Sequence, residues 1–184
     1  MSEQAWAAIE RNPAAPRASF LSLLDWREQW HGRGQFPYTP SVCDIHGVEA
    51  VCDQTLEEGL EASIARHEAA AAACRAGARE MGLRLWPKSE AITAPCVTAI
   101  TVPDGLDHEA VRSHVREHYG VMLSGGQGAG NLVRIGHMGP SASGLNPVVG
   151  LIALGRSLAD LGTAVRIGAG VEAALALLAS PRQA

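Results

Sequence analysis

Lysine is nearly missing from this sequence. Of its 15 basic residues 14 are arginine, and Lys88 stands alone. Any chemistry that needs a side-chain amine therefore has one candidate. The net charge is −4 and no long basic run exists, which excludes a nucleic-acid surface from the expected partners. No apolar stretch is long enough to cross a bilayer, so no membrane partner is expected, and no secretory pattern opens the chain. Cys43, Cys52, Cys74 and Cys96 lack CxxC spacing and read as reduced thiols, so a cytoplasmic protein is expected. Gly125-Gly126-Gln127-Gly128 lacks the lysine of a P-loop, and no Gly-x-Ser-x-Gly elbow is present. His114 and His118 lie four apart on one helix, but without an HExxH glutamate or a third ligand no metal site is expected. His67, on an apolar helical stripe, reads as a satisfied core histidine. The remainder, 47% hydrophobic and 18% charged over 184 residues, suits one globular domain or one and a half.

Glycine is what the chain has in excess, and it is concentrated. Ser124 to Gly139 holds six of the 20 glycines in 16 residues. Glycines serve where backbone turns at positive φ or comes close to something else. Within this stretch Leu132-Val133-Arg134-Ile135 reads as a short strand. Alternation puts Leu132 and Arg134 on one face and Val133 and Ile135 on the other. An arginine so placed is either a structural ion-pair partner or a fixed fork awaiting a carboxylate or phosphate.

Ser-Gly-Gly, a glycine-rich run and Val-Arg-Ile-Gly-His-Met-Gly together resemble the C-terminal signature of class V aminotransferases. These are pyridoxal-phosphate (PLP) enzymes of fold type I. The similar branch holds the alanine–glyoxylate, serine–glyoxylate and pyridoxamine–pyruvate aminotransferases. The resemblance implies that Arg134 binds the carboxylate of the amino or 2-oxo acid, and that the full-length enzyme is a homodimer. It covers nearly all of this chain but only the C-terminal half of a family enzyme. The Schiff-base lysine and the aspartate for the pyridine nitrogen are then expected upstream of residue 1. Lys88 falls in a region that the resemblance puts far from the cofactor ring. No catalytic residue is assigned, and the chain is expected to be a fragment, a split subunit or a truncated product, inactive alone.

The loop Phe36-Pro37-Tyr38-Thr39-Pro40-Ser41-Val42 has two readings. Thr39 or Ser41 can cap the next helix, with Pro40 in its first turn. A helix start is also a natural phosphate site. The resemblance adds a Tyr-x-x-Thr-x-Pro-like motif that reaches the cofactor phosphate of the neighbouring subunit. Thr39 matches its threonine. Phe36 stands where many members have tyrosine, which removes a hydroxyl, and Tyr38 is the alternative donor.

The resemblance implies an α/β fold. Residues 1–58 are expected as a remnant of the large PLP-binding domain. Residues 59–184 are expected as the small C-terminal domain, an α+β sandwich with helices on one side. A helix over Glu3–Glu10 has Ser2 as N-cap. A weak helical period over Phe20–Trp30 turns Leu21, Leu24 and Trp26 inward, and His31–Gly34 is a loop. A helix runs Val42–Gln54. A longer one opens at Thr55 with a stripe of Leu56, Leu60, Ile64, His67, Ala71, Cys74, Ala78 and Met81. Strands are expected at Leu83–Trp86 and Val97–Val102. A helix over His108–Glu117 is capped by Asp107 and turns Val111 and Val115 inward. One from Leu145 or Asn146 to Leu161 turns in Val149, Ile152, Leu158 and Leu161, and the last spans Gly170–Ala179.

Overall fold

A computed structural model describes residues 1–178, so Ala179 and the five residues after it lie outside the described part. The chain divides into two compact units between Glu57 and Glu58. Glu58 belongs to the second because its carboxylate is held by Arg66, at 2.5 Å from Nε and 2.7 Å from Nη2.

In the first unit α1 (Glu3–Arg11) starts where the Ser2 hydroxyl accepts from the Ala5 N–H at 3.3 Å. The expected helix over Phe20–Trp30 is α2 (Leu23–Trp26) continuing as a π-helical turn, Arg27–His31. Helical structure runs on through residues 32 and 33, where a loop was expected. Trp30 stacks on Phe36 at 4.5 Å, and packing of these rings carries the helix further. Leu24 is buried, whereas Leu21 is 75% exposed rather than inward. Helix α3 (Val42–Glu58) buries no residue at all.

Helix α3 does not stop near Gln54. The Thr55 hydroxyl donates back to the Val51 carbonyl at 2.8 Å, which accommodates it inside the helix. The break comes at Gly59, whose φ of 85° a side chain would resist. Helix α4 (Leu60–Glu80) follows. Only the later part of its expected stripe is buried, Ala71, Cys74, Ala78 and Met81, while Leu56, Leu60 and Ile64 stay exposed.

The second unit is built on a three-stranded antiparallel sheet of order β1-β3-β2, with β1 Val97–Thr101, β2 Ser124–Gly125 and β3 Leu132–Gly136. Helix α5 (His108–Tyr119) lies between β1 and β2 in sequence, capped by Asp107, whose Oδ2 accepts from the Glu109 N–H at 2.8 Å. Its Val111 and Val115 are buried as expected. Residues 83–86 reduce to one bridge, Leu85 with Ile100, flanked by backbone bonds of 2.9 Å from Trp86 to Ala99 and from Thr101 to Arg84. Proline at 87 has no N–H with which to extend a ladder.

Helices α6 (Asn146–Asp160) and α7 (Ile167–Leu178) close the core with α4. On α6 the inward face is Val148, Leu151, Leu154 and Leu158; Val149 and Ile152 are 48% and 42% exposed. The doublets Val148-Val149 and Leu151-Ile152 offer two apolar stripes one residue apart. Close approach selects between them. A Cβ on Gly150 would lie 2.9 Å from Ile135, and one on Gly155 would lie 3.2 Å from the Met81 sulfur. Gly77 and Gly170 likewise let α4 and α7 touch, since a Cβ on Gly77 would come within 2.8 Å of the Gly170 carbonyl oxygen.

Candidate functional site: an arginine fork on the open face of the sheet

Alternation along the strands separates two faces. Val133, Ile135 and Ile100 turn into the helix-covered core. Leu132 and Arg134 lie on the other face, where β1 presents Val97, Ala99 and Thr101. The glycine hairpin leading into β3 covers Leu132: a Cβ on Gly126 would meet Leu132 Cγ at 3.1 Å and the Gly130 carbonyl oxygen at 2.6 Å. Of the glycines in Ser124–Gly139, Gly128, Gly130 and Gly139 have positive φ. Asn131 fastens the hairpin base, its Nδ2 donating to the Leu106 carbonyl at 2.7 Å and its Oδ1 accepting from the His108 N–H at 2.8 Å. The sequence pattern had not singled out Asn131.

Arg134 is half-buried, and its Nε donates to the Gly125 carbonyl at 2.7 Å. No carboxylate among the described residues pairs with it, and its two terminal amino groups have no hydrogen-bond partner there. Of the two readings open for Arg134, the structural ion pair is not formed. What is present is a guanidinium fixed at one nitrogen with the remaining fork free, a geometry suited to bidentate capture of a carboxylate.

Beyond β3 the chain is pinned at two points. His137 is buried. Its Nδ1 contacts the Pro95 carbonyl at 3.0 Å and its Nε2 the Thr98 hydroxyl at 2.9 Å, an arrangement of the neutral ring. Burial holds its pKa below the usual histidine value. Gly139 is then held on both sides by α4. Its N–H donates to His67 Nε2 at 2.9 Å, and its carbonyl accepts from Arg66 Nη1 at 2.6 Å. His67 also meets the Ser63 carbonyl at 2.7 Å. It is satisfied, as the sequence suggested, but by backbone groups at the edge of the core. Arg66 had not been singled out. Its signal in the sequence is faint: an acid and an arginine eight residues apart across a glycine.

The other candidates are placed apart. Thr39 is exposed, precedes α3 by three residues and has no hydrogen-bond partner among the described residues. Neither it nor Ser41 caps α3 with its side chain; Ser41 contributes only its carbonyl, to the Ile45 N–H at 3.1 Å. Pro40 falls outside the helix. Tyr38 is not a free donor, since its hydroxyl binds Asp25 Oδ2 at 2.6 Å. That bond, with a second from Arg17, holds the Asp25 carboxyl far below the usual carboxylate range. Lys88 is exposed. His114 and His118 stack at 4.0 Å, and His114 Nδ1 meets the Ser157 hydroxyl at 3.1 Å. Among the described residues no three His, Cys, Asp or Glu side chains form a metal-sized group. The four cysteines are free, and burial raises the Cys74 thiol to about 11, which leaves it inert.

No protein-family profile matches the chain. Individual relatives do. A pyridoxamine–pyruvate transaminase of Mesorhizobium japonicum is 47% identical over 180 residues, covering 97% of this chain and 46% of the relative. An L-aspartate–glyoxylate aminotransferase of Paracoccus denitrificans is 37% identical over 175 residues, covering 94% and 43%. The crystal structure of pyridoxamine–pyruvate aminotransferase from Mesorhizobium loti superposes with a TM-score of 0.84 at 46% identity, over 97% of this chain and 46% of that one. Ureidoglycine–glyoxylate aminotransferase from Bacillus subtilis gives 0.79 at 30% identity, over 95% and 44%. The fold is thus the mixed α/β fold of aminotransferases. Along nearly its whole length the chain is homologous to pyridoxamine–pyruvate and glyoxylate aminotransferases, as its Val-Arg-Ile-Gly segment suggested. It spans under half the length of these relatives.

Proposed function

We propose that this chain is the carboxylate-binding C-terminal part of a PLP-dependent aminotransferase. The enzyme moves an amino group from an amino acid or amine to a 2-oxo acid such as glyoxylate or pyruvate. The observation that carries the reading is the free fork of Arg134. Its Nε is anchored to Gly125 and nothing within the described chain neutralises its charge. Two parallel N–H···O bonds to a carboxylate would fix the acid's orientation as well as its affinity. The hairpin packs on Leu132, the neighbour of this arginine on the same face of the strand.

The residues present fit part of the cofactor. The unpartnered Thr39 hydroxyl, just ahead of the N–H groups that open α3, suits a phosphate oxygen. In this reading Thr39 serves a neighbouring subunit in a cytoplasmic homodimer. PLP, when bound, supplies the electron sink for chemistry at the amino-acid α-carbon. The amine that would carry it is not matched, since the only lysine, Lys88, sits exposed on the segment after the Leu85 bridge. That same observation favours a second reading, a non-catalytic α/β domain that pairs with a full-length relative.

Arg134 gives the direct test. In an enzyme reconstituted with a lysine-bearing N-terminal segment, Arg134→Ala is expected to cost about 2–5 kcal/mol of substrate binding. Arg134→Lys is expected to be poor as well, because a point charge does not match the fork. Unchanged affinity for the acid in Arg134→Ala, measured by titration, would remove the clamp assignment.

A further inference from the structure

Register on the open face places one more group in line with Arg134. Ala99 of β1 pairs with Arg134 of β3, and Ser124 of β2 pairs with Arg134 from the other side. Beyond β1, the bond from the Trp86 N–H to the Ala99 carbonyl puts Trp86 opposite Ala99. The row across the sheet therefore reads Trp86, Ala99, Arg134, Ser124. Trp86 and Arg134 stand two strand spacings apart, about 10 Å between backbones. The indole is 50% exposed. It has no ring partner, cation partner or hydrogen bond among the described residues.

The residue between them is the odd one in its strand. Four of the five residues of β1 are β-branched, and the exception is Ala99. Alanine is disfavoured in strands, where branched side chains pack better. Here it leaves a low floor between a free guanidinium and an unpartnered indole. Anchoring of Arg134 Nε to Gly125 draws the arginine towards β2 and leaves that floor open.

We propose that Trp86 and Ala99 form an apolar subsite beside the arginine fork, which takes the side chain of the 2-oxo acid whose carboxylate Arg134 holds. The occupant is an acid with an aromatic or branched apolar side chain, long enough to span from the fork to the indole. Trp86 then determines specificity and Ala99 sets the available depth. The assignment rests on Arg134 being the carboxylate clamp.

The whole chain carries four tryptophans, and in a ¹⁵N-labelled sample the Trp86 indole N–H signal is assigned by its loss in Trp86→Phe. Titration with phenylpyruvate is expected to shift both the Trp86 indole and the Arg134 Nε–H signals, and to bind about fivefold more tightly than pyruvate, in keeping with partial burial of a ring. Trp86→Ala and Ala99→Leu should each weaken phenylpyruvate more than pyruvate, so that the fivefold preference disappears. Arg134→Ala should lose both acids. The amide spectrum reports in the same experiment that each variant is folded. Equal affinity of wild type for the two acids, or phenylpyruvate shifting Arg134 but not Trp86, overturns the subsite and leaves the clamp standing. Binding of both acids undisturbed in Arg134→Ala overturns the clamp, and the subsite with it.

Discussion

Helices α3 and α4 are neighbours in sequence, separated only by Gly59, and they end in opposite conditions. Both carry apolar residues at helical spacing. α3 buries none of its 17 residues, and Val48 and Val51 are 64% and 60% exposed. α4 buries Ala70, Ala71, Ala73, Cys74, Gly77 and Ala78. The difference is in what each has to meet. α4 offers small side chains to α6 and α7, and its Gly77 meets Gly170 of α7, so the backbones of α4 and α7 approach closely. α3 offers branched side chains with no described partner. An amphipathic stripe gives a helix a preferred face, but stability comes from the surface that face packs on. The two units repeat this contrast. The second has one continuous apolar core, whereas in the first only Leu24 and Ser22 are buried. The remainder of the first unit relies on polar contacts, such as those of half-buried Asp25 with half-buried Tyr38 and exposed Arg17.

The contrast can be broken by substitution. The largest effect is expected for Leu151→Ala in α6, which removes a fully buried side chain and should cost about 2–5 kcal/mol in denaturant unfolding of the second unit. A loss well under that range would mean the core is looser than its burial shows. Acid comes next. His137 has a folded-state pKa below the unfolded value of about 6.5, so the unfolded chain binds the extra proton first. Its contribution is fully present above that pH and is lost as pH falls through the folded-state pKa. The second unit should therefore weaken in mild acid, and His137→Gln should flatten the dependence. The smallest effect is expected for Val51→Ser in α3, within about 0.5 kcal/mol, because the side chain is already in water. Hydrogen exchange reads the same difference without mutation: α3 amides should exchange far faster than those of α4. Equal, strong protection of both would erase the comparison.

Much of the second unit was legible because its signals are local. Asp107 before a valine-spaced helix, β-branched residues over Val97–Thr101 and the Val-Arg-Ile-Gly strand each settle their own element. The misreadings arose where the deciding partner is distant. The inward face of α6 is chosen by Ile135 and Met81, which no window around residue 150 contains. The segment 83–86 has strand-like residues, but pairing stops beside Pro87 and leaves a single bridge. At the candidate site, alternation placed Arg134 on the face opposite Val133 and Ile135. The absence of an ion pair, and the hold of Arg66 and His67 on Gly139, needed the fold. Tyr38 was readable as a hydroxyl near Thr39 but not as the partner of Asp25, which is 13 residues away. The long stripe from Leu56 to Met81 misled in its first half, since periodicity reports which side is apolar and not whether anything covers it.

We propose that this chain holds the acid through Arg134 but, with no positioned lysine, does not itself transaminate. The purified 184-residue chain is incubated with pyridoxal phosphate, assayed with alanine and glyoxylate, then reduced with borohydride and mapped by mass spectrometry. The account predicts no turnover, with any label confined to weak modification of Lys88 or the N-terminal amine, as for any exposed amine. Turnover of alanine with glyoxylate that disappears in Lys88→Ala would contradict it and make Lys88 catalytic.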